Sequence, residues 1–274
     1  MNEVLIRKDG SKSVAFQDRF GVDPQLTDFL VSEHVNLRED GFHTGQVASG
    51  AVLEGTANAQ ELGLDPDLFS NKILAMNGLS GHFGKWTVSA MKNGLLAASS
   101  LSTAVELQTS TEGVQIRGGM GEALDNSKVL LVANYHDEAD PKEMNLYERE
   151  MVEKGTLFRT ESEENDFHAA NISLAVGANM LMLCTMAEGF MYKGKKLDHI
   201  NIEDIQKYLD YIDQTTPANG LGVYKGGMQT KLKAAEQYLL GSADTNTPAR
   251  VVIGHSHMDS RKLLEDNAGT WVVQ

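Results

Sequence analysis

The chain has 274 residues, 24 basic and 38 acidic, and a formal charge of −14 at neutral pH. That length suits one large α/β domain or two small lobes around a substantial core. The acidity excludes nonspecific binding to DNA, RNA or an anionic membrane, which depends on Lys and Arg neutralising phosphates. The single cysteine, Cys184, rules out an internal disulfide and a four-thiolate zinc site. Its apolar neighbours Leu181, Met182 and Leu183 predict a buried thiol. No basic segment followed by an apolar run opens the chain, so no signal peptide is read. The longest apolar-leaning run, 172–186, is broken by Ser173, Gly177 and Asn179 and is too short to span a bilayer. A cytoplasmic protein is expected.

In chain order, Val4-Leu5-Ile6 reads as a buried strand entering the glycine turn Lys8-Asp9-Gly10-Ser11. Asp23-Pro24 forms a helix-start pair, and Leu26, Phe29, Leu30, His34 and Val35 follow at helical spacing to about Gly41. Gln46-Val47-Ala48 leads into Ser49-Gly50-Ala51-Val52, a second strand and a tight turn. Asp65-Pro66 opens a helical region extending to about Asn93. Strands are predicted at 105–108 and 128–133, and a polar helix at 143–154. Helix 165–176 and strand 180–185 come next, then helices at 203–212 and 228–240. Strands at 250–253 and 270–273 close the chain. The alternation predicts a largely parallel sheet covered on both faces, with ligands gathered beyond the carboxyl ends of its strands.

Four strand-end or loop segments carry the candidate chemistry. Lys8-Asp9-Gly10-Ser11 sets a lysine beside a glycine turn whose amides suit a phosphate. Ser49-Gly50-Ala51 lets a ligand approach the backbone closely. Asn134-Tyr135-His136-Asp137 and Glu164-Asn165-Asp166 are polar clusters at a strand end and a helix start. Gly226-Gly227-Met228-Gln229-Thr230-Lys231 reads as two glycines at the start of a helix carrying a lysine in its first turn. Free amides and the helix dipole favour anions at such a start.

The order of these segments resembles the amino acid kinase family, and within it the glutamate 5-kinase branch. The resemblance covers nearly the whole chain, and Gly226 to Lys231 followed by Leu232-Lys233-Ala234-Ala235 is its most specific motif. It implies a three-layer αβα sandwich with a central, mainly parallel sheet in one domain over 1–274. A carboxylate-substrate lobe would occupy about 1–155 and a nucleotide lobe about 156–274. The small C-terminal RNA-binding-like domain of some relatives is not expected. It also implies transfer of the ATP γ-phosphoryl group to the side-chain carboxylate of L-glutamate, the first step of proline biosynthesis, with Mg²⁺ riding on the ATP phosphates. Lys8 and Lys231 would clamp the phosphates, with Asp166 holding both lysines. Ser49, Gly50, Asn134, Asp137 and Asn165 would hold glutamate. Gly10, Ser11, Thr185, Gly226, Gly227 and Met228 would line the nucleotide site. No protein metal ligand is expected, and a dimer or tetramer is.

Three departures from the family pattern stand out. Met186 occupies the place of the usual Asp after the nucleotide-side threonine, Glu163-Glu164 replaces Gly-Asp, and Tyr135-His136 replaces Glu-Asn. They leave room for another small acid, carbamate or a phosphate monoester as acceptor, or for a catalytically weak ligand sensor. Two rival motifs have plainer readings. Gly189 to Lys196 nearly matches a P-loop but has Lys196 where Ser or Thr must reach Mg²⁺, and it is read as a hairpin. His255-Ser256-His257 has no further ligand at a telling spacing and reads as strand-end polarity.

Overall fold

A computed structural model of the chain describes residues 2–7, 24–47, 51–69, 71–102, 107–110, 113–116, 123, 126, 128–135, 164–175, 178–185, 187–215, 223–242, 249–255, 259–264 and 268–274. The first half contains β1 (Asn2–Arg7), α1 (Pro24–Glu39), β2 (Phe42–Val47), α2 (Ala51–Glu61), α3 (Asn71–Lys92), β3 (Leu96–Ser102), β4 (Leu107–Ser110), β5 (Gly113–Ile116) and β6 (Val129–Tyr135). The second half contains α4 (Glu164–Ala175), β7 (Met180–Thr185), β8 (Met191–Tyr192), β9 (Lys195–Lys196), β10 (His199–Asn201), α5 (Ile205–Thr215), α6 (Val223–Gly241), β11 (Arg250–His255), α7 (Ser260–Leu263) and β12 (Thr270–Val273).

Eight strands form one sheet in the order β10-β12-β11-β7-β1-β2-β6-β3. From β11 to β3 every neighbouring pair is parallel, and β12 pairs antiparallel with β11. β1 is the hinge of the topology: Leu5 faces Gly45 of β2 on one side and Leu181 of β7 on the other. The chain leaves β1 toward β2 and later returns to its opposite side through β7. The crevice between β1 and β7 is therefore a topological switch point, where sheets of this kind bind ligands at their carboxyl edge.

Alternation along the buried strands sorts side chains onto two faces. Leu181, Leu183, Val251 and Ile253 pack with α4, α5 and α6 through Phe167, Ile172, Leu209, Leu232 and Tyr238. Met180, Met182, Cys184 and Val252 point the other way, against Leu37 of α1, Leu263 of α7 and Trp271. A further cluster joins Leu30 and Val31 of α1 and Trp86 and Ala90 of α3 to Leu130 and Val132 of β6. Each such Leu or Val contributes about 1.5–3 kcal/mol by leaving water. The result is the expected three-layer αβα sandwich with a mainly parallel sheet, and Cys184 is fully buried in it.

Several elements differ from the sequence reading. Ala51 and Val52 begin helix α2 and do not complete a turn. β3 was not predicted: its Ala- and Ser-rich sequence has little β preference, and pairing with β6 imposes its conformation. The strand expected at 105–108 is β4, shifted to 107–110, and it pairs with β5 in a separate hairpin. Helix α6 starts at Val223, so Gly226 and Gly227 lie inside it and Lys231 is in its third turn rather than its first. Glycine weakens a helix by about 1 kcal/mol per residue without ending it, and nothing in Val223-Tyr224-Lys225 stops the helix.

The near P-loop is a hairpin, as expected, with Tyr192 paired to Lys195 across a two-residue turn. Lys193 and Gly194 both take positive φ there, 49° and 77°, as a type I′ turn requires. The polar helix expected at 143–154 lies outside the described residues. Among the described residues no helix is long and apolar enough to cross a membrane.

Candidate active site

The parallel strands β1, β2, β6, β7 and β11 all end on one edge of the sheet. Three of the candidate segments lie at those ends in the sequence, 8–11 after β1, 49–51 after β2 and 134–137 at the end of β6, and Met186 follows β7. Lys8, Gly10, Ser11, Ser49, Gly50, Asp137 and Met186 themselves lie outside the described residues. Asn134 belongs to β6, where it is opposite Leu101 of β3. Thr185 is buried at the end of β7, opposite His255 of β11.

Helix α4 connects the carboxyl edge, where β6 ends, to the opposite edge, where β7 begins. Its first turn, Glu164-Asn165-Asp166, therefore lies at the carboxyl edge, and an acid in a first turn is favoured by the helix dipole. Phe167, Ala169, Ala170 and Ile172 seat the helix on the sheet. Helix α6 lies beside α4 and is held by buried Leu232, Ala234, Ala235 and Leu239. The Tyr238 hydroxyl donates to the carbonyl of Ala178, just before β7.

These two helices bring Lys231 and Asp166 together. The Lys231 ammonium lies 3.2 Å from each carboxylate oxygen of Asp166, and the two side chains are only 3% and 6% exposed. Burying two ions costs several kcal/mol each before their attraction is counted. An apolar pair of similar volume would stabilise the helix contact at least as well. An ion pair in this place is therefore better explained by chemistry at the strand ends than by packing. Met228, one turn before Lys231, is partly buried against the same core. Gly226 and Gly227 lie half a turn further back along the same helix.

Two buried acids escaped the sequence reading. Glu54, in the first turn of α2, has both carboxylate oxygens 2.7 Å from the Lys85 ammonium of α3. Taking Ala51 as a turn residue hid it; reading a helix from Ala51 would have set Glu54 beside the helix start. Glu33 of α1 accepts from the backbone amide of Ser260 at the start of α7. Its place one turn from Leu30 and Leu37 on the apolar face was legible from spacing. Among the described residues no group of three or more His, Cys, Asp or Glu is placed to hold a metal ion.

No protein-family model matches the chain. It is 25% identical over 215 residues to the glutamate 5-kinase of Pasteurella multocida (strain Pm70), covering 78% of this chain and 54% of that one. The chain thus spans about half the length of the curated relatives it matches. Among solved structures it superposes on carbamate kinase from Giardia lamblia bound to citric acid with a TM-score of 0.65, at 12% identity over 99% of this chain and 98% of that one. The same enzyme bound to AMP-PNP gives 0.60 at 14% identity, covering 100% of this chain and 98% of that one.

Proposed function

We propose that this chain, a member of the amino acid kinase family, transfers the γ-phosphoryl group of ATP to the side-chain carboxylate of L-glutamate, giving an acyl phosphate and ADP. The buried Asp166–Lys231 pair is the observation that carries the reading. In this reaction a carboxylate oxygen attacks the γ-phosphorus while the bond to the ADP oxygen breaks. The carboxylate is already ionised, so no general base is needed. Alignment and neutralisation of the transferring group are needed.

Lys231 supplies one positive charge for that group, and Asp166 fixes its position and charge state. Lys8, the residue after β1, supplies a second charge. Asp166 answers the repulsion between two ammonium groups directed at one point. Ser49, Gly50, Asn134, Asp137 and Asn165 bind glutamate, with Asp137 on its α-ammonium. Gly10, Ser11, Thr185, Gly226, Gly227 and Met228 line the nucleotide site; AMP-PNP in the Giardia lamblia carbamate kinase supports a nucleotide on this fold. Mg²⁺ travels on the ATP phosphates and offsets their charge, as suits an ion that keeps its waters.

The test is a hydroxylamine trap run with ATP, Mg²⁺ and a panel of amino acids and other small acids. Hydroxamate formed with glutamate alone is the expected result. ADP release without hydroxamate from any carboxylate would overturn it. Hydroxamate from a different acid would keep the reaction and replace the substrate.

A further inference from the structure

Two ion pairs of the molecule hold a carboxylate that is almost entirely buried. One is Asp166–Lys231, already described. The other is Glu54–Lys85, between α2 and α3, with side chains 8% and 30% exposed. In the pairs Lys92–Asp28, Lys196–Asp198, Lys207–Asp204 and Arg261–Asp40 the carboxylate is between 40% and 55% exposed. An acid in the first turn of a helix is already favoured by the helix dipole. Glu54 therefore needs no lysine to be stable in water, and the buried pair calls for a separate reason.

The packing of α2 on α3 is built around that carboxylate. Leu74, Asn77, Gly81 and Lys85 fall on one face of α3 by their spacing of three and four. Gly55 of α2 lies against the backbone of Leu74, and Asn58 donates to the Asn77 side-chain oxygen at 2.9 Å. A Cβ on Gly81 would stand 3.0 Å from Oε1 of Glu54, so the glycine leaves room for the acid. One turn further along, the Lys85 ammonium meets both carboxylate oxygens at 2.7 Å. Two charge-assisted bonds from one ammonium fix direction as well as distance. Apolar contact is non-directional and would let the first turn of α2 rotate.

That turn starts at Ala51, just past the carboxyl end of β2 at Val47. The acceptor residues Ser49 and Gly50 of the proposed reaction lie between the two in sequence. We propose that Glu54 and Lys85 are positioning residues for the acceptor acid: their two-point pair fixes the first turn of α2 and so sets where the acid is held. The proposal rests on the phosphoryl-transfer reading. It gives the acceptor half of the site a buried ion pair to match Asp166–Lys231 in the nucleotide half. A bound substrate displaced by about 1 Å can lose about 10²-fold in rate, so the orientation of this turn matters to the reaction.

Steady-state hydroxamate formation with ATP and glutamate tests the proposal. Lys85→Met and Glu54→Gln should each raise KM for glutamate about 10-fold and leave KM for ATP within about twofold. Lys85→Arg can still reach both oxygens and should bring KM for glutamate back to within about threefold of the wild type. Should a single variant fail to fold, Glu54→Leu combined with Lys85→Met supplies an apolar pair that keeps the helices packed. Its urea midpoint should return close to the wild type while KM for glutamate stays raised. Recovery of KM along with the midpoint would reduce the pair to packing and overturn the proposal. An equal rise in both KM values, or no rise in either, would do the same. A wild-type chain that forms hydroxamate from another acid is measured with that acid. One that forms none from any acid overturns the phosphoryl-transfer reading itself, and the role of the pair with it.

Discussion

Lys231 and Asp166 stand 65 residues apart in the chain, yet the ammonium of one is equidistant, at 3.2 Å, from both carboxylate oxygens of the other. Removing the lysine strands a buried carboxylate, at a stability cost of about 3–5 kcal/mol. Under the proposed reaction, Lys231→Ala also lowers kcat by about 10³-fold while glutamate binding measured by calorimetry stays nearly unchanged. The double replacement Lys231→Met with Asp166→Leu separates the two effects. It should recover most of the lost stability and none of the turnover. Recovery of turnover would make the pair a packing device.

The contact between α2 and α3 depends on Gly55, whose Cα faces the backbone carbonyl of Leu74 so closely that a methyl group would overlap it. Gly55→Ala should cost about 1–3 kcal/mol by forcing the helices apart. The urea midpoint falls with an unchanged m-value. An unshifted midpoint would show that the helices separate freely.

At the hairpin tip, Gly194 has φ 77° and Lys193 φ 49°. Gly194→Val places a β-branched residue in left-handed backbone and should destabilise by about 1–2 kcal/mol. Lys193→Asn suits its position better and should gain a few tenths of a kcal/mol. Thermal denaturation of the two variants reads opposite signs.

The Asp28 carboxyl is held below its usual value by the Ser89 hydroxyl beside it and by the Lys92 ammonium, 3.1 Å away. An acid with a lowered folded value contributes stability above its unfolded value of 3.8, and loses it as pH falls through the lowered one. Asp28→Asn should therefore flatten the acid limb of the stability curve below about pH 4. At pH 7 it should cost less than about 1 kcal/mol, because the pair is exposed. A variant whose acid limb matched the wild type would remove Asp28 from that dependence.

Much of the fold was legible where burial leaves a local signature. The run Met180–Cys184 is apolar throughout and, with Thr185, is buried on both faces of the sheet, so its strand was read with its observed ends. Helix α4 was read to within a residue at each end, from a polar start and an apolar face. β3 and α2 were missed for opposite reasons. Ala97, Ala98, Ser99 and Ser100 become a strand only because β6 offers a ladder, and Ala51 follows glycine and serine, which read as a turn. No spacing rule joins Asp166 to Lys231. That partnership was reached by resemblance alone, since a contact between two helices depends on how both are laid on the sheet.

The place of β1 in the sheet sets the order in which the molecule can be completed. β1 needs β7, made of residues 180–185, to cover its second edge. Until then its backbone donors and acceptors on that side have no ladder. Pairings this distant in sequence slow folding and lengthen the exposure of a sheet edge. A nascent chain halted near residue 150 would hold β1, β2, β3 and β6 with an open parallel edge at the position of the future switch point. That unpaired edge exists before Lys231 has been synthesised and is closed only by β7.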